Sequence, residues 1–280
     1  MKLLPFSKMQ GVGNDFVVVA EEMVSSLSLP ALARLLCQRR FSVGADGLLV
    51  VGRGERAPVR MRMFNPDGSE DMCGNGLRCV AQWARRRGLV DGSCFIVETV
   101  DGDKQVELLP DGRVRVELGE PRFAPEEVPV LAEETDVLNL PVSLPHRQVR
   151  VAALSTGSTH SVLFVDTLPS DDLFWQESPM IENHPLFPQR TSVLWTVVES
   201  PSRLRMRIWE RGAGETLACG TGACAAAVAA QLRGLTGKTV EVHSAGGVLQ
   251  VEWHPGEPMR LTGGADLVYE GWYPLEEVKA

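Results

Sequence analysis

Nowhere in the 280-residue chain do apolar residues run long enough to cross a bilayer, and the opening MKLLPFSKMQ carries no apolar stretch of leader length. No membrane partner is expected, and a cytoplasmic location follows as the default. There the six cysteines should be reduced thiols rather than bridges. Positive charge is scarce: 28 Lys and Arg face 36 Asp and Glu, a net charge of −8. That balance excludes the usual nucleic-acid binder, which needs a clustered basic face. The one basic run, Arg85-Arg86-Arg87, is followed by Gly88 and reads as a cationic helix end. Histidines number five, none in an H-E-x-x-H arrangement, and no two cysteines form C-x-x-C, so no metal is expected. The segment GVGNDF lacks the third glycine of the dinucleotide fingerprint, which leaves no case for a nicotinamide cofactor.

What the chain does contain is a repeat. The pentad Cys73-Gly74-Asn75-Gly76-Leu77 recurs as Cys219-Gly220-Thr221-Gly222-Ala223, an offset of 146 residues. At that offset Gly68 also meets Gly214. Upstream, GVGNDFVVV (11–19) matches STGSTHSVLFV (155–165) at an offset of 144, from Gly13 to Gly157. Downstream, FIVETVDGDKQVEL (95–108) echoes VEVHSAGGVLQVEW (240–253) near 145. Three segments in one order at nearly one offset imply two halves of similar fold.

Each half opens with a Gly-rich turn and a strand, continues through further strands, then reaches the cysteine loop and a helix. LRCVAQWARRRG and ACAAAVAAQLRG both stop at glycine, Gly88 and Gly234. A hairpin-like pair of strands follows each helix. The expected class is α+β: two pseudo-symmetric halves, each a curved, mostly antiparallel sheet around a central helix. The halves are placed at 1–119 and 120–265, with EPRFAPEEVPV (120–130) as the linker. A last strand within 266–280 should return to the first half.

A Gly-rich loop opening a helix presents unpaired N–H groups and the positive end of the helix dipole, an anion cradle that ligands can approach closely. The same field is expected to lower the pKa of a cysteine placed there. Two such sulfurs suit proton transfer at a carbon beside a carboxylate. One, as thiolate, takes the proton from one face; the other, as thiol, returns one to the opposite face. The helix N-termini would stabilise charge developing on the carboxylate, and no pyridoxal electron sink is called for. Cys37, Cys79, Cys94 and Cys224 lie in apolar patterns and read as core thiols.

FNPDGSEDMCGNGLRC and ERGAGETLACGTGACA resemble the two signature segments of the diaminopimelate epimerase family, as do KMQGVGNDFVVV and VGADGLL. The likeness spans both halves. It implies a cofactor-independent conversion of LL-diaminopimelate to the meso form, with Cys73 and Cys219 as the acid/base pair. Backbone N–H groups of Gly74, Asn75, Gly220 and Thr221 would hold the reacting carboxylate. Asn14 and Asn65 fall at substrate-binding asparagines; Arg211 would take the distal carboxylate and Glu210 an ammonium group. His160 matches a histidine that bonds a thiol or positions substrate. Two positions depart from the family pattern. Its Gly-Asn-Pro-His reads Gly157-Ser158-Thr159-His160, and its Thr-Asn-Val reads Thr191-Ser192-Val193. Serine is shorter than asparagine and carries one donor where the amide carries two. A racemase of another amino acid, with the same fold and cysteine pair, therefore stands as the alternative. A non-catalytic amino-acid binder would not need two matched cysteines. A small-molecule amino-acid substrate is the expected partner, and a homodimer is compatible with the chain.

Overall fold

The computed structural model describes residues 2–132 and 137–275. The chain divides into two compact units, Met1–Glu117 with Thr262–Ala280, and Leu118–Leu261.

In the first unit the chain runs through β1 (Lys2–Gly11), β2 (Asn14–Ala20), α1 (Glu21–Val24), α2 (Leu29–Leu36), β3 (Gly47–Gly52) and β4 (Val59–Phe64). It continues through β5 (Glu70–Asp71), α3 (Gly74–Arg86), β6 (Cys94–Thr99), β7 (Gly102–Leu108) and β8 (Val114–Glu117). β1 and β2 pair antiparallel, β2 lies parallel to β3, and β3 is antiparallel to β4. β4 takes β5 antiparallel and β6 parallel, and the β6–β7–β8 meander completes the series.

The second unit contains β9 (Leu140–Ser143), β10 (Gln148–Ser155), β11 (Thr159–Phe164), α4 (Asp171–Glu182), β12 (Ser192–Ser200) and β13 (Arg203–Glu210). After these come β14 (Gly214–Thr216), α5 (Gly220–Leu232), β15 (Thr239–Ser244) and β16 (Gly247–Glu252), and β17 (Arg260–Gly263) begins in the second unit and ends in the first. Its pairings repeat those of the first unit. β10–β11 is antiparallel, β11–β12 parallel, β12–β13 antiparallel, and β13 takes β14 antiparallel and β15 parallel. In both units most pairs are antiparallel. The two parallel ones are bridged by helices, as the geometry of a parallel connection requires. β18 (Asp266–Leu275) returns to the first unit, antiparallel to β1 from Gln10↔Asp266 to Lys2↔Leu275. Residues 276–280, included in the expected last strand, lie outside the described residues.

The apolar runs FVVV and LLVV become β2 and β3, buried on both faces, as parallel-paired strands read. One face packs Val17, Val19, Leu48 and Val50 on Leu32 and Leu36 of α2. α3 lies against β1, β7 and β8, and α5 against β11, β12 and β16. α5 is buried almost all round from Gly220 to Ala230, where its residues are small, six of them alanine. A helix apolar on every side belongs in a core. Both helices end in a Schellman motif. Gly88 and Gly234 take φ of 69° and 71°, and the following Leu89 and Leu235 bond back to Ala84 and Ala230.

The stretch 120–130, read as a linker, folds as part of the second unit. Val128 and Val130 join its core, and Thr159 Oγ1 donates to the Val128 carbonyl. Cys37, Cys79 and Cys224 are buried, but Cys94 is exposed, contrary to expectation. β6 buries only the Val97 and Thr99 side; Cys94 and Ile96 stand on the opposite parity and face out.

Candidate active site

Cys73 and Cys219 occupy the same structural position in their units. Each is the N-cap of the buried helix, with extended backbone (φ −137°, ψ 119° and φ −130°, ψ 115°). Each sulfur accepts a hydrogen bond from the N–H three residues on: Gly76 at 3.5 Å and Gly222 at 3.4 Å. Serine or threonine usually fills that slot; here the capping atom is a sulfur. Gly74, Asn75, Gly220 and Thr221 therefore form the first helical turns, whose N–H groups have no intrahelical acceptor.

Space at these turns explains the glycines. A Cβ on Gly222 would come 3.0 Å from Leu194 Cδ2, 3.2 Å from Cys219 Cβ and 3.3 Å from Cys219 Sγ. Gly222→Ala gains about 1 kcal/mol of helix propensity, which offsets an overpacking cost of ~1–3 kcal/mol. The sulfur, however, must move. The expected result is little change in thermal unfolding with turnover lowered about 10–100-fold, since small misplacements of a reacting group carry that penalty. Initial rates beside a melting curve test it, and unaltered turnover would contradict it.

Around Cys73 the structure gathers Asn14 and Asn75. The hairpin turn Val12-Gly13, with φ of 52° and 83°, sets Asn14 at the first position of β2. Both central residues of a two-residue hairpin of this kind need positive φ, which is uncommon for a β-branched valine. Cys73 Sγ donates to Asn14 Oδ1 at 3.6 Å, and Asn75 Nδ2 donates to the same oxygen at 3.2 Å. Asn14 Nδ2 donates to Asp46 Oδ2 at 2.8 Å. Asn75 Oδ1 in turn accepts from Arg78 at 2.9 Å. Arg78 is fully buried and also bonds the carbonyls of Gly74 and Gly264. Asn65 joins a different set of bonds. It closes the β4–β5 turn through its N–H to the Ser69 carbonyl and Nδ2 to Ser69 Oγ.

Around Cys219 the structure gathers Thr221, whose Oγ1 lies 3.4 Å from the sulfur, and Glu210, whose carboxylate accepts from Thr216 Oγ1 at 2.5 Å and acts on the thiol through its charge. Thr156 Oγ1 fixes the Thr221 carbonyl at 2.9 Å. Burial, then the Glu210 carboxylate, pushes the Cys219 thiol well above its ordinary pKa; the bonds from Thr221 and Gly222 pull the other way and lose. The lowered pKa expected from the helix field is thus reversed here, because Cys219 is only 7% exposed. Desolvation of a thiolate outweighs one N–H and a partial dipole charge.

The two serines that depart from the family pattern both neighbour His160. Ser158 Oγ lies 3.1 Å from His160 Nε2, and Ser192 is the register partner of His160 across β11 and β12. Ser192 Oγ accepts the Arg211 N–H at 3.1 Å, and the Arg211 guanidinium reaches the Gln189 carbonyl. The loop after Arg211 is held by Glu182, at the end of α4. Its buried carboxylate accepts from Gly212 N and Trp209 Nε1, both at 2.7 Å, and pairs with Arg190.

Asp46, Arg78, Thr156, Thr216 and Glu182 were not singled out by sequence reasoning. VGADGLL contains Asp46, and Arg78 sits inside an otherwise apolar helix stretch, the one local sign that it is buried.

In fold the chain is similar to the solved structure of a hydroxyproline epimerase from Agrobacterium vitis. The TM-score is 0.72 at 14% identity, covering 98% of this chain and 93% of that one. This likeness defines the fold class, an α+β architecture, and at such identity nothing finer. Sequence narrows it: the family model described as diaminopimelate epimerase matches residues 6–124 and 152–268. The diaminopimelate epimerase of Pelotomaculum thermopropionicum is 46% identical over 96% of this chain and 98% of its own. That of Moorella thermoacetica is 46% identical over 97% and 99%. The chain belongs to the diaminopimelate epimerase family. Among the described residues no helix is long and apolar enough to cross a membrane.

Proposed function

We propose that this protein epimerises LL-2,6-diaminopimelate to meso-diaminopimelate without a cofactor, with Cys73 and Cys219 as the two acid/base groups. The observation that carries the reading is near-full-length identity of 46% to relatives of that name. A cysteine capping the central helix of each unit supports the mechanism. Removing the α-proton puts a second negative charge onto the carboxylate. Donors aimed at such charge are worth about 10²–10³ in rate each, and the first-turn N–H groups at Gly74, Asn75, Gly220 and Thr221 are suited to supply them. Asn14 and Asn65 would bind substrate in the first unit, and Glu210, Arg211, Ser158 and Ser192 in the second, with His160 in support. Arg211 would take the distal carboxylate through its planar fork. The reaction serves lysine and peptidoglycan precursor synthesis, in the cytoplasm, and a homodimer is compatible with the chain.

In heavy water the reduced protein should place deuterium at the α-carbon of LL-diaminopimelate and yield the meso isomer with nothing added. Lack of exchange, with both thiols titratable, would overturn the reading. Ser158 and Ser192 favour one second reading, a racemase of an amino acid with a different distal end. A substrate panel varied only at that end separates the two.

A further inference from the structure

We propose that Asp46 is a positioning residue that decides which end of the Asn14 amide faces Cys73, and so keeps Cys73 able to hold a proton. An asparagine side chain can turn by half a rotation with almost no change of shape, exchanging its oxygen for its NH₂. What fixes it is the polarity of its neighbours, and here both ends of a short relay agree. Asp46 can only accept, so Asn14 must offer it Nδ2 (2.8 Å). Arg78 can only donate, so Asn75 offers it Oδ1, which turns Asn75 Nδ2 toward Asn14 Oδ1 (3.2 Å). The Asn14 oxygen is thereby aimed at the Cys73 sulfur, 3.6 Å away.

Asp46 is itself held in place. Its Oδ2 also accepts the Asp15 N–H at 3.1 Å, and its Oδ1 takes the Arg39 guanidinium at 2.7 Å. Arg39 bridges on to Asp15, whose other oxygen pairs with Lys8 at 2.6 Å. Burial pushes the Asp15 carboxyl up, but the bonds from Arg39 and Lys8 outweigh it and hold that carboxyl below its ordinary range. The acceptor end of the relay is thus tied into a four-residue ion network, Lys8–Asp15–Arg39–Asp46.

The consequence falls on the sulfur. Gly76 N–H donates to it and stabilises a thiolate; Asn14 Oδ1 accepts from it and stabilises a thiol. A group that must both take and return a proton is served by such a balance. With Asn14 turned over, two donors would face the sulfur and favour the thiolate alone. Asp46 therefore acts through Asn14 and touches no substrate.

Asp46→Asn takes away the fixed acceptor at one end of the relay. Arg39 and the Asp15 N–H compete for the new amide's single oxygen; with that oxygen on Arg39, its NH₂ faces Asn14, which is then held with its oxygen toward Cys73 by Asn75 alone and turns its NH₂ to the sulfur in a share of the molecules. The proposal rests on the reading of Cys73 as an acid/base group, but the test reads the sulfur and not turnover, so the two can fail separately. Alkylation by iodoacetamide at pH 7.5 is followed by mass spectrometry of the Cys73 peptide. The set is unaltered protein, Asp46→Asn, Asn14→Ala and the double variant. Cys73 should react about threefold faster in Asp46→Asn, part of the roughly tenfold effect of exchanging an acceptor for a donor beside a titrating group. The acceleration should vanish when Asn14 is alanine, the non-additivity of coupled residues. An unchanged rate in Asp46→Asn, or the same acceleration without Asn14, overturns the proposal. Should Asp46→Asn not fold, a neutron map of the unaltered protein decides. Deuterons on Asn14 Nδ2 directed at Asp46 support the relay, and the reverse orientation ends it.

Discussion

Cys73→Ala and Cys219→Ala should each abolish epimerisation, lowering turnover by about 10³-fold or more, at the upper range of what general acid–base catalysis contributes. The equality of the two losses is the informative part. In a two-base reaction the group that removes the proton from one epimer is the group that supplies it to the other. Neither direction survives the loss of either sulfur. What can survive is α-proton exchange with solvent on one face, since a remaining base can still remove and return a proton there. Any residual deuterium exchange is therefore expected with one epimer only, and with the opposite epimer in the other variant. Following both epimers by NMR in heavy water checks this directly. A single-cysteine variant that exchanged both epimers at equal rates would point to one base and sink the assignment. Cys94→Ala is the control: that thiol stands on the outward face of β6 and should leave the rate unchanged.

Much of the fold was legible because the chain says it twice. The cysteine pentads, the strands before them and the hairpins after them recur near one offset, and the pairing pattern of the two units repeats strand for strand. The α+β class and the helix stops at Gly88 and Gly234 needed only local signals, a change of hydrophobic period and a residue that tolerates positive φ. What failed was parity and environment. The apolar stretch CFIV does not say which parity faces the core, and Cys94 proved to be on the outer one. The helix-terminus argument for a lowered thiol pKa was local as well. It could not anticipate that Cys219 is buried and that a carboxylate from the end of β13 lies against it. The Asn14 relay was out of reach for the same reason. Asp46 lies 32 residues from Asn14 in sequence, and the parallel β2–β3 pairing brings their strands together.

Acidification should destabilise the fold through His160 more than through any other single histidine. Its ring is fully buried, Nδ1 has no hydrogen-bond partner, and Nε2 meets only the Ser158 hydroxyl among the described residues. Burial first, and then the charge of Arg211, lowers its pKa from 6.5 to about 3. The unfolded chain therefore binds a proton below pH 6.5 that the folded protein refuses until near pH 3. Stability from this group is complete above pH 6.5 and is lost as pH falls, by ~1.4 kcal/mol per unit and with a ceiling of about 5 kcal/mol. Urea unfolding at pH 7, 6 and 5 should show that loss superimposed on the carboxylates' share. His160→Gln keeps a similar volume but cannot protonate, so by pH 5 its loss relative to pH 7 should be smaller by about 2 kcal/mol. Parallel pH slopes for the two proteins would mean that His160 protonates in the folded state near its ordinary pKa.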